Sequence, residues 1–396
     1  MADGGAQTYV LYGMPASLYT GKARSYLRKH AIAHIERAAG DARFAREVLP
    51  RIGRWIIPVL ETPDGTLIQD TVDIIDHFEA GRPAARSAYP AGGVQRCVAH
   101  VLELFGGEGL LRPAMHYRWN FDEHNLAFLA EDFGRSLAPA GDAAERAQAF
   151  ATASGLMRRA TLAVGVDEHT AAAVESSYAE LLALLDAHLA SAPYLLGGRP
   201  TIADFGFIGP LYAHLARDPY PSLVMKRAAA GVWRWVERMN APVADTGEYV
   251  DYPEELFGED AVPETLRELL AYIGEEFVPE LLAQVAFVDA WLREHETVQE
   301  GEVVGGAPQR RSLGSATFTL RGREARVGVL PYRLFMLQRL QDAFAACREG
   351  ERRAVRDLFA RVGLEPVLDA RACRRVERRD NHEVWGALRD SAQGSA

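Results

Sequence analysis

Two hydrophobic periods alternate along the first eighty residues of the chain. Residues 8–12, 34–37, 56–61 and 66–69 are apolar or alternate with the period of two that is typical of β-strands. Apolar residues at helical spacing occupy residues 18–30 and 41–49 and the stretch that begins beside Asp70 and Thr71 and ends at Gly81. The resulting β-α-β-α-β-β-α order predicts a small α/β domain over residues 7–82.

A second region, residues 91–245, has helical spacing almost throughout. Its strongest local signal lies at Pro200, Thr201 and Asp204. Thr201 and Asp204 have the spacing of a helix capping box, and Pro200 ends any helix that precedes it. The pattern therefore predicts an all-helical domain in which a buried helix begins at Thr201.

The remaining residues, 246–396, form an extension with mixed periodicity. Residues 263–294, 332–344 and 352–362 have helical spacing, and residues 315–320 and 325–329 alternate as a hairpin would. A strand pair and a few helices have little core of their own, so we expect the extension to pack on the helical domain. The sequence leaves two roles open for the extension, which are to cover a functional site and to mediate assembly.

Composition narrows the class of protein. A chain of 396 residues with 48% hydrophobic residues can form two or three domains, and a net charge of −10 argues against nucleic acid as the main partner. No apolar run approaches membrane-spanning length, and residues 1–5 do not resemble a secretion signal. The three cysteines are far apart and lack metal-ligand spacing, so a cytoplasmic protein without membrane contacts is expected.

Pro58 stands at the start of a predicted strand, where its missing N–H cannot donate to a sheet. We expect a cis peptide bond between Ile57 and Pro58, which would turn the backbone N–H and C=O of Ile57 away from the sheet and toward a peptide-like ligand. The alternative is an ordinary trans proline at the beginning of an edge strand.

The order of this strand, a turn, a second strand and a helix that opens with Asp70 and Thr71 resembles the thioredoxin-like domain of glutathione transferases. The segment from Leu196 to Asp204 likewise resembles a segment of that family's helical domain. The resemblance implies a thioredoxin-like N-terminal domain, a helical glutathione transferase C-terminal domain, and an added extension. It also implies glutathione as the co-substrate.

The same resemblance assigns roles in glutathione binding. Ile57, held by Pro58, would pair with the cysteinyl backbone, and Asp70 and Thr71 would hold the γ-glutamyl end. A helix N-terminus with free N–H groups suits a carboxylate on general grounds. Capping of the helix alone is the other interpretation of Asp70 and Thr71.

Ser17 precedes the first helix and stands where Ser-type and Cys-type members of the family keep their catalytic residue. There its hydroxyl would donate a hydrogen bond to the glutathione sulfur and favour the nucleophilic thiolate. A helix cap is the alternative role for Ser17, and Tyr12 and Tyr19 are competing candidates for the sulfur contact.

The glycine end of glutathione has a weaker candidate. Many members have a polar residue where this chain has the apolar Ile56, and Arg54 or Trp55 is the available substitute.

An aromatic and polar segment, residues 115–124, is the candidate wall for the second substrate. We predict that Tyr19, Tyr117, Arg118 and Trp119 contact it, with Arg118 available for an anionic group; the alternative is that the large aromatics pack in the core. His116, Asp122 and His124 lack a fixed third ligand, so no metal site is predicted.

Together these features predict a glutathione-dependent transferase that activates the thiolate for attack on a small apolar electrophile. The family resemblance implies a homodimer. Two alternatives stay open: a non-catalytic binding or assembly module with the same fold, and a glutathione-dependent reductase or thiol-exchange enzyme. The absence of cysteine at residues 17 and 20 disfavours the reductase.

Overall fold

A computed structural model describes residues 8–242 and 247–389. The predicted domain limits at residues 7, 245, 246 and 396, and the N-terminal residues 1–5, lie outside the described residues.

The first domain is a four-stranded sheet flanked by helices, in the order β2-β1-β3-β4. Strand β1 is parallel to β2 and antiparallel to β3, and β3 is antiparallel to β4. The strands are β1 Tyr9–Gly13, β2 His34–Ala38, β3 Val59–Glu61 and β4 Leu67–Gln69, and the helices are α1 Leu18–Lys29, α2 Leu49–Ile52 and α3 Thr71–Glu79. A π-helical turn, Phe44–Val48, leads into α2. The predicted order of elements is confirmed, and so is the cis Ile57–Pro58 bond.

The turn between β3 and β4 follows from its sequence. Gly65 has a φ of 84°, which glycine adopts without strain. The Asp64 carboxylate accepts a hydrogen bond from the Thr66 N–H at 3.1 Å. The local signals thus fix the register that brings Gln69 and Asp70 to the end of the sheet.

Eight helices follow, and a capping motif at Asp204 links the start of the sixth helix to the segment before it and to the eighth helix. They are α4 Gly93–Leu104, α5 Leu111–Trp119, α6 Asp122–Leu137, α7 Ala143–Ala163, α8 Ala171–Leu189, α9 Ile202–Pro210, α10 Pro219–Ala228 and α11 Ala230–Asn240. The predicted capping box starts α9. The buried Asp204 carboxylate accepts hydrogen bonds from the Thr201 N–H at 2.9 Å, the Leu195 N–H at 3.0 Å and the Trp235 indole at 3.2 Å.

The extension contains five helices and two hairpins among the described residues. They are α12 Glu264–Glu276, α13 Val278–Glu294, β5 Ser315–Leu320, β6 Arg323–Gly328, α14 Pro331–Ala346, α15 Glu349–Arg361, α16 Pro366–Asp369, β7 Arg374–Arg379 and β8 His382–Leu388. The hairpin β5–β6 and the helical character of residues 263–294, 332–344 and 352–362 were predicted from the sequence, whereas the division of residues 263–294 into α12 and α13 was not. The hairpin β7–β8 and the short α16 were not.

A shared hydrophobic core joins the three regions. It includes Leu11 and Val72 of the first domain, Leu102 and Phe205 of the helical domain, and Leu337 of α14. Helix α14 packs on α4, and side chains near its start also reach α3. The extension is therefore part of the folded body and not an appendage. Within residues 8–242 and 247–389, no helix has both the length and the apolar character that a membrane span requires.

We predict that Asp204→Ala lowers the free energy of unfolding by about 3–5 kcal/mol, because it leaves three buried N–H donors unpaired. The measurement is urea unfolding at pH 7.5, above the pKa of about 6 to which burial raises this carboxyl. Asp142→Ala is the matched control, since Asp142 forms the same capping box on the exposed start of α7 and should lose only about 1 kcal/mol. Equal losses in the two variants would contradict the prediction.

Candidate ligand site beneath the extension

Ser17 caps α1. Its hydroxyl oxygen accepts a hydrogen bond from the Thr20 N–H at 3.2 Å, so the helix-cap role weighed for it is present. The side chain is half-buried. Because a hydroxyl has one proton to donate as well as lone pairs to accept with, capping leaves the Ser17 O–H available to another acceptor. Its role toward a sulfur stays a prediction.

The backbone of Ile57 faces away from the sheet pairing. Pairing of β3 with β1 and β4 begins at Val59, and no described residue forms a hydrogen bond with the Ile57 N–H or C=O. Ile57 is half-buried beside the apolar cluster of Met14 and Ala16. The two backbone groups are thus unpaired in the sheet, as the sequence predicted, and their contact with a ligand stays a prediction.

Asp70 and Thr71 begin α3 and are covered by the extension. The Asp70 carboxylate accepts hydrogen bonds from the Val72 N–H and from the Tyr332 hydroxyl, each at 2.9 Å. Thr71 is 1% exposed and lines a cavity of about 10 Å³ together with Tyr332 and Met336. That volume suffices for about one water molecule. The Tyr332 phenol therefore lies against the carboxylate that was predicted to hold a γ-glutamyl group.

Burial and the Asp70 charge both raise the pKa of Tyr332 well above its usual value. The phenol consequently keeps its proton and remains a donor to Asp70.

Arg54 is tied to the second hairpin of the extension. It is 5% exposed, and its guanidinium donates to the Glu383 carboxylate at 2.8 Å, to the Gln69 amide oxygen at 2.8 Å and to the Asn381 carbonyl at 3.0 Å. Both terminal nitrogens of the guanidinium therefore have partners within the protein, although the sequence proposed Arg54 for the glycine end of glutathione.

The same hairpin closes the edge of β4. Asn381 accepts a hydrogen bond from the Gln69 N–H at 2.9 Å, and Arg378 donates to the Gln69 carbonyl at 2.7 Å. Arg378 also forms a 2.6 Å ion pair with Asp73 on α3. An edge strand exposes unpaired N–H and C=O groups, and here side chains of the hairpin pair with them.

Tyr19 belongs to a buried ionic network. Its hydroxyl donates to Glu108 at 3.0 Å, and Arg333 of α14 donates to the other Glu108 oxygen at 3.2 Å. Arg333 and Arg112 both pair with the buried Glu280 of α13. Burial, followed by the Glu108 charge, raises the pKa of Tyr19 well above its usual value, so the phenol stays protonated. The network joins the first domain, the helical domain and the extension.

Comparison with known proteins identifies the first two regions. Residues 11–86 match the family model described as glutathione S-transferase, N-terminal domain. Residues 167–238 match the one described as glutathione S-transferase, C-terminal domain. These two regions of the chain are therefore glutathione S-transferase domains. No curated protein matches the sequence significantly.

Solved structures similar to the chain include three from bacteria. A glutathione S-transferase from Xanthobacter autotrophicus Py2 is 22% identical and covers 59% of this chain and 93% of its own, with a TM-score of 0.31. The β-etherase LigF from Sphingobium sp. strain SYK-6 is 17% identical, covering 59% and 95%, with a TM-score of 0.42. A glutathione S-transferase from Methylobacterium radiotolerans JCM 2831, solved in complex with glutathione sulfonate, is 17% identical, covering 65% and 100%, with a TM-score of 0.35.

The three residues predicted to form the electrophile wall of this transferase fold are buried in the helical domain. Arg118 is 2% exposed and pairs with Asp218 at 2.6 Å while also donating to the Ala16 carbonyl at 2.8 Å. Trp119 packs on Phe133, and Tyr117 stacks on Phe121. These contacts favour the packing alternative, and binding of a substrate by these residues stays a prediction.

Other polar residues of the first domain, including the candidate Tyr12, are also paired. Lys22 forms a buried 2.6 Å ion pair with Glu103, and Arg24 pairs with Glu36 at 2.6 Å. The Tyr12 hydroxyl donates to Glu61 at 2.9 Å. Among the described residues, no three His, Cys, Asp or Glu side chains converge as a metal site would require.

Sequence reasoning missed the residues of the extension that contact the candidate residues Asp70 and Arg54 and the edge of β4: Tyr332, Arg378, Asn381 and Glu383. One local signal was available for the hairpin. Asp380 and Asn381 have φ values of 50° and 65°, as the centre of a tight two-residue turn requires, and Asp and Asn are favoured there. No local signal pointed to the pairing of Tyr332 with Asp70.

We predict that Glu383→Gln destabilises the protein at neutral pH by up to about 3 kcal/mol. Although burial opposes ionisation, Arg54 and Arg378 lower the pKa of Glu383 to about 2 in the folded protein, from a usual value near 4.5. Its stabilising contribution is therefore complete above pH 4.5 and is lost as the pH falls toward 2. Urea unfolding at pH 6 and pH 3.5 should show a larger difference between the two proteins at pH 6.

Glu377→Gln is the control for this prediction, because Glu377 lies on the same hairpin in an exposed ion pair with Arg379. It should change the free energy of unfolding by less than about 0.5 kcal/mol. The expectation would be contradicted if Glu383→Gln left the free energy of unfolding unchanged at pH 6, or lowered it more at pH 3.5 than at pH 6.

Proposed function

We propose that this protein is a binding protein built on the glutathione transferase fold, in which the extension takes the place of glutathione in the pocket. The hydrogen bond from Tyr332 to Asp70 carries the proposal. Tyr332 contacts the carboxylate that the family resemblance assigns to the γ-glutamyl group, and Glu383 pairs with Arg54, the candidate for the opposite end of the tripeptide.

Packing energies favour a pocket that stays covered by α14 of the extension, which is called the cap below. Helix α14 buries Leu334, Met336, Leu337 and Leu340, each at most 4% exposed. At about 1.5–3 kcal/mol for each buried side chain, lifting the helix costs about 6–12 kcal/mol, as an upper estimate, before any ion pair is counted. A ligand present at a thousand times its Kd stabilises its bound state by only about 4 kcal/mol. Glutathione is therefore a weak competitor for the pocket.

A second candidate is the glutathione-dependent transferase itself, with glutathione as co-substrate and a small apolar electrophile as partner. The available O–H of Ser17 and the unpaired backbone of Ile57 favour it. In that reaction the glutathione thiol releases its proton to solvent, and the Ser17 hydroxyl donates a hydrogen bond to the resulting thiolate. The sulfur then forms a bond to the electrophilic carbon while the bond from that carbon to its leaving group breaks, and the leaving group departs as an anion, chloride in the case of 1-chloro-2,4-dinitrobenzene. The reaction requires at least the Tyr332 side chain to leave Asp70.

Calorimetric titration with reduced glutathione distinguishes the two candidates. We expect no saturable heat from the wild-type protein up to about 10 mM ligand, because the cap outcompetes a ligand of millimolar to micromolar affinity. Tyr332→Ala should also fail to bind, since Arg378, Asn381 and Glu383 still cover the end of the sheet. Conjugation of glutathione to 1-chloro-2,4-dinitrobenzene should stay at the uncatalysed rate in both proteins.

Phe335→Ala is the control variant, because Phe335 is a half-buried neighbour on the same helix. Saturable binding by the wild type that Thr71→Ala weakens would overturn the binding-protein proposal. A gain of glutathione binding in Tyr332→Ala that Phe335→Ala lacks would instead show that Tyr332 alone excludes glutathione. Conjugation by that variant would then indicate a covered transferase site, at which a further Ser17→Ala change should retain binding but lose the rate.

A further inference from the structure

A cleft of about 590 Å³ opens between α4 and the junction of α14 with α15. None of Ser17, Ile57, Asp70 and Thr71 lines it. It exists because the extension docks on the helical domain, since α4 supplies one wall and α14 and α15 supply the other. Its volume is in the range of sites that hold small organic molecules.

The cleft is lined by three arginines and three acids, and two of the acids are already paired with arginines. Asp76 accepts two hydrogen bonds from Arg339, at 2.8 and 3.0 Å. Asp342 accepts two from Arg375, at 2.9 and 2.6 Å. Glu351, the third acid of the lining, accepts the backbone N–H of Arg348 at 2.8 Å and caps α15.

Two guanidinium groups face the cleft without a carboxylate partner. Within residues 8–242 and 247–389, neither Arg96 nor Arg348 forms an ion pair. Arg96 donates to the Pro90 carbonyl at 3.0 Å and lies over the Tyr89 ring, 5.0 Å from its centroid, which leaves further N–H groups open. The Arg348 side chain is exposed at the opposite wall.

His100 contributes a neutral polar group to the lining. It is 5% exposed, and its Nδ1 has no hydrogen-bond partner among the described residues; the nearest carboxylate oxygen, on Glu103, is 3.6 Å away. Burial lowers the pKa of His100, and the charges of Arg339 and Arg96 lower it further. The imidazole is therefore neutral at pH 7, and the positive charge of the cleft resides on its arginines.

We propose that this cleft binds a small organic molecule that carries at least two oxyanion charges, held by Arg96 and Arg348. Guanidinium groups bind phosphate and carboxylate oxygens through paired, charge-assisted hydrogen bonds. Two such groups on opposite walls suit a ligand with anionic groups at separate positions. Tyr89, already stacked against Arg96, offers a planar face for the body of the ligand.

The test is calorimetric titration of the full chain with inorganic pyrophosphate and, separately, with citrate, at constant ionic strength. We expect saturable binding of at least one of the two anions. Arg96→Gln and Arg348→Gln should each weaken it about tenfold or more, because each removes a charge-assisted contact. Tighter binding of pyrophosphate assigns the site to phosphate groups, and tighter binding of citrate assigns it to carboxylates.

Arg353→Gln is the matched control, since Arg353 lies on α15 outside the cleft with a side chain that is 73% exposed. It should bind like the wild type, and all variants should melt at similar temperatures without ligand. Absence of saturable binding to both anions would overturn the proposal. Equal weakening by Arg353→Gln and Arg348→Gln would also overturn it, because it would indicate diffuse attraction to surface charge.

Discussion

The structure depends on a buried guanidinium, that of Arg333, which pairs with Glu108 of the helical domain and Glu280 of the extension. All three side chains are nearly inaccessible to solvent. Removing one partner of such a group leaves an uncompensated buried charge, at a typical cost of 3–5 kcal/mol. A shift of α14 along its axis would separate these charges, so the network fixes the register of the helix.

Because α14 is held in register, Tyr332, the residue next to Arg333, is also held in position. Tyr332 follows Pro331 in the first turn of α14, and the pinned helix directs its phenol to Asp70. At the other end of the pocket, β7–β8 brings Glu383 to Arg54. The Ile57 backbone has no hydrogen-bond partner among the described residues, but two other groups that a bound tripeptide was expected to contact, Asp70 and Arg54, have partners in the chain itself. Buried polar groups require partners, and the extension provides them without a ligand.

Local signals explain what the sequence predicted well. The cis bond at Pro58, the turn at Gly65 and the capping box at Thr201 each depend on a few adjacent residues, and all three are present. The family resemblance extended these signals to two domains. The predicted site residues Asp70 and Thr71 also begin their helix as expected.

Contacts between distant residues explain what the sequence did not predict. Tyr332 and Asp70 are 262 positions apart, and neither has a neighbour whose pattern indicates the other. Arg118 looked available for an anionic substrate, but its partner Asp218 lies 100 positions away and is fully buried. The hairpin β7–β8 had a turn signal at Asp380 and Asn381, yet arginines on β7 obscured the alternation around the buried Val376.

The covering of Asp70 by Tyr332 and the arginine-lined cleft have the same structural requirement. Both need α14 to lie on α4. A ligand that binds only the assembled cleft stabilises the docked extension by RT ln(1 + [L]/Kd), about 2.7 kcal/mol at a hundred times its Kd. That free energy adds to the free energy gained by packing Leu337 and Leu340. It therefore opposes the binding of any ligand that requires α14 to move away. By thermodynamic reciprocity, a ligand in the pocket would weaken binding in the cleft by the same factor. Ligands at the two proposed sites would therefore oppose each other through the position of one helix.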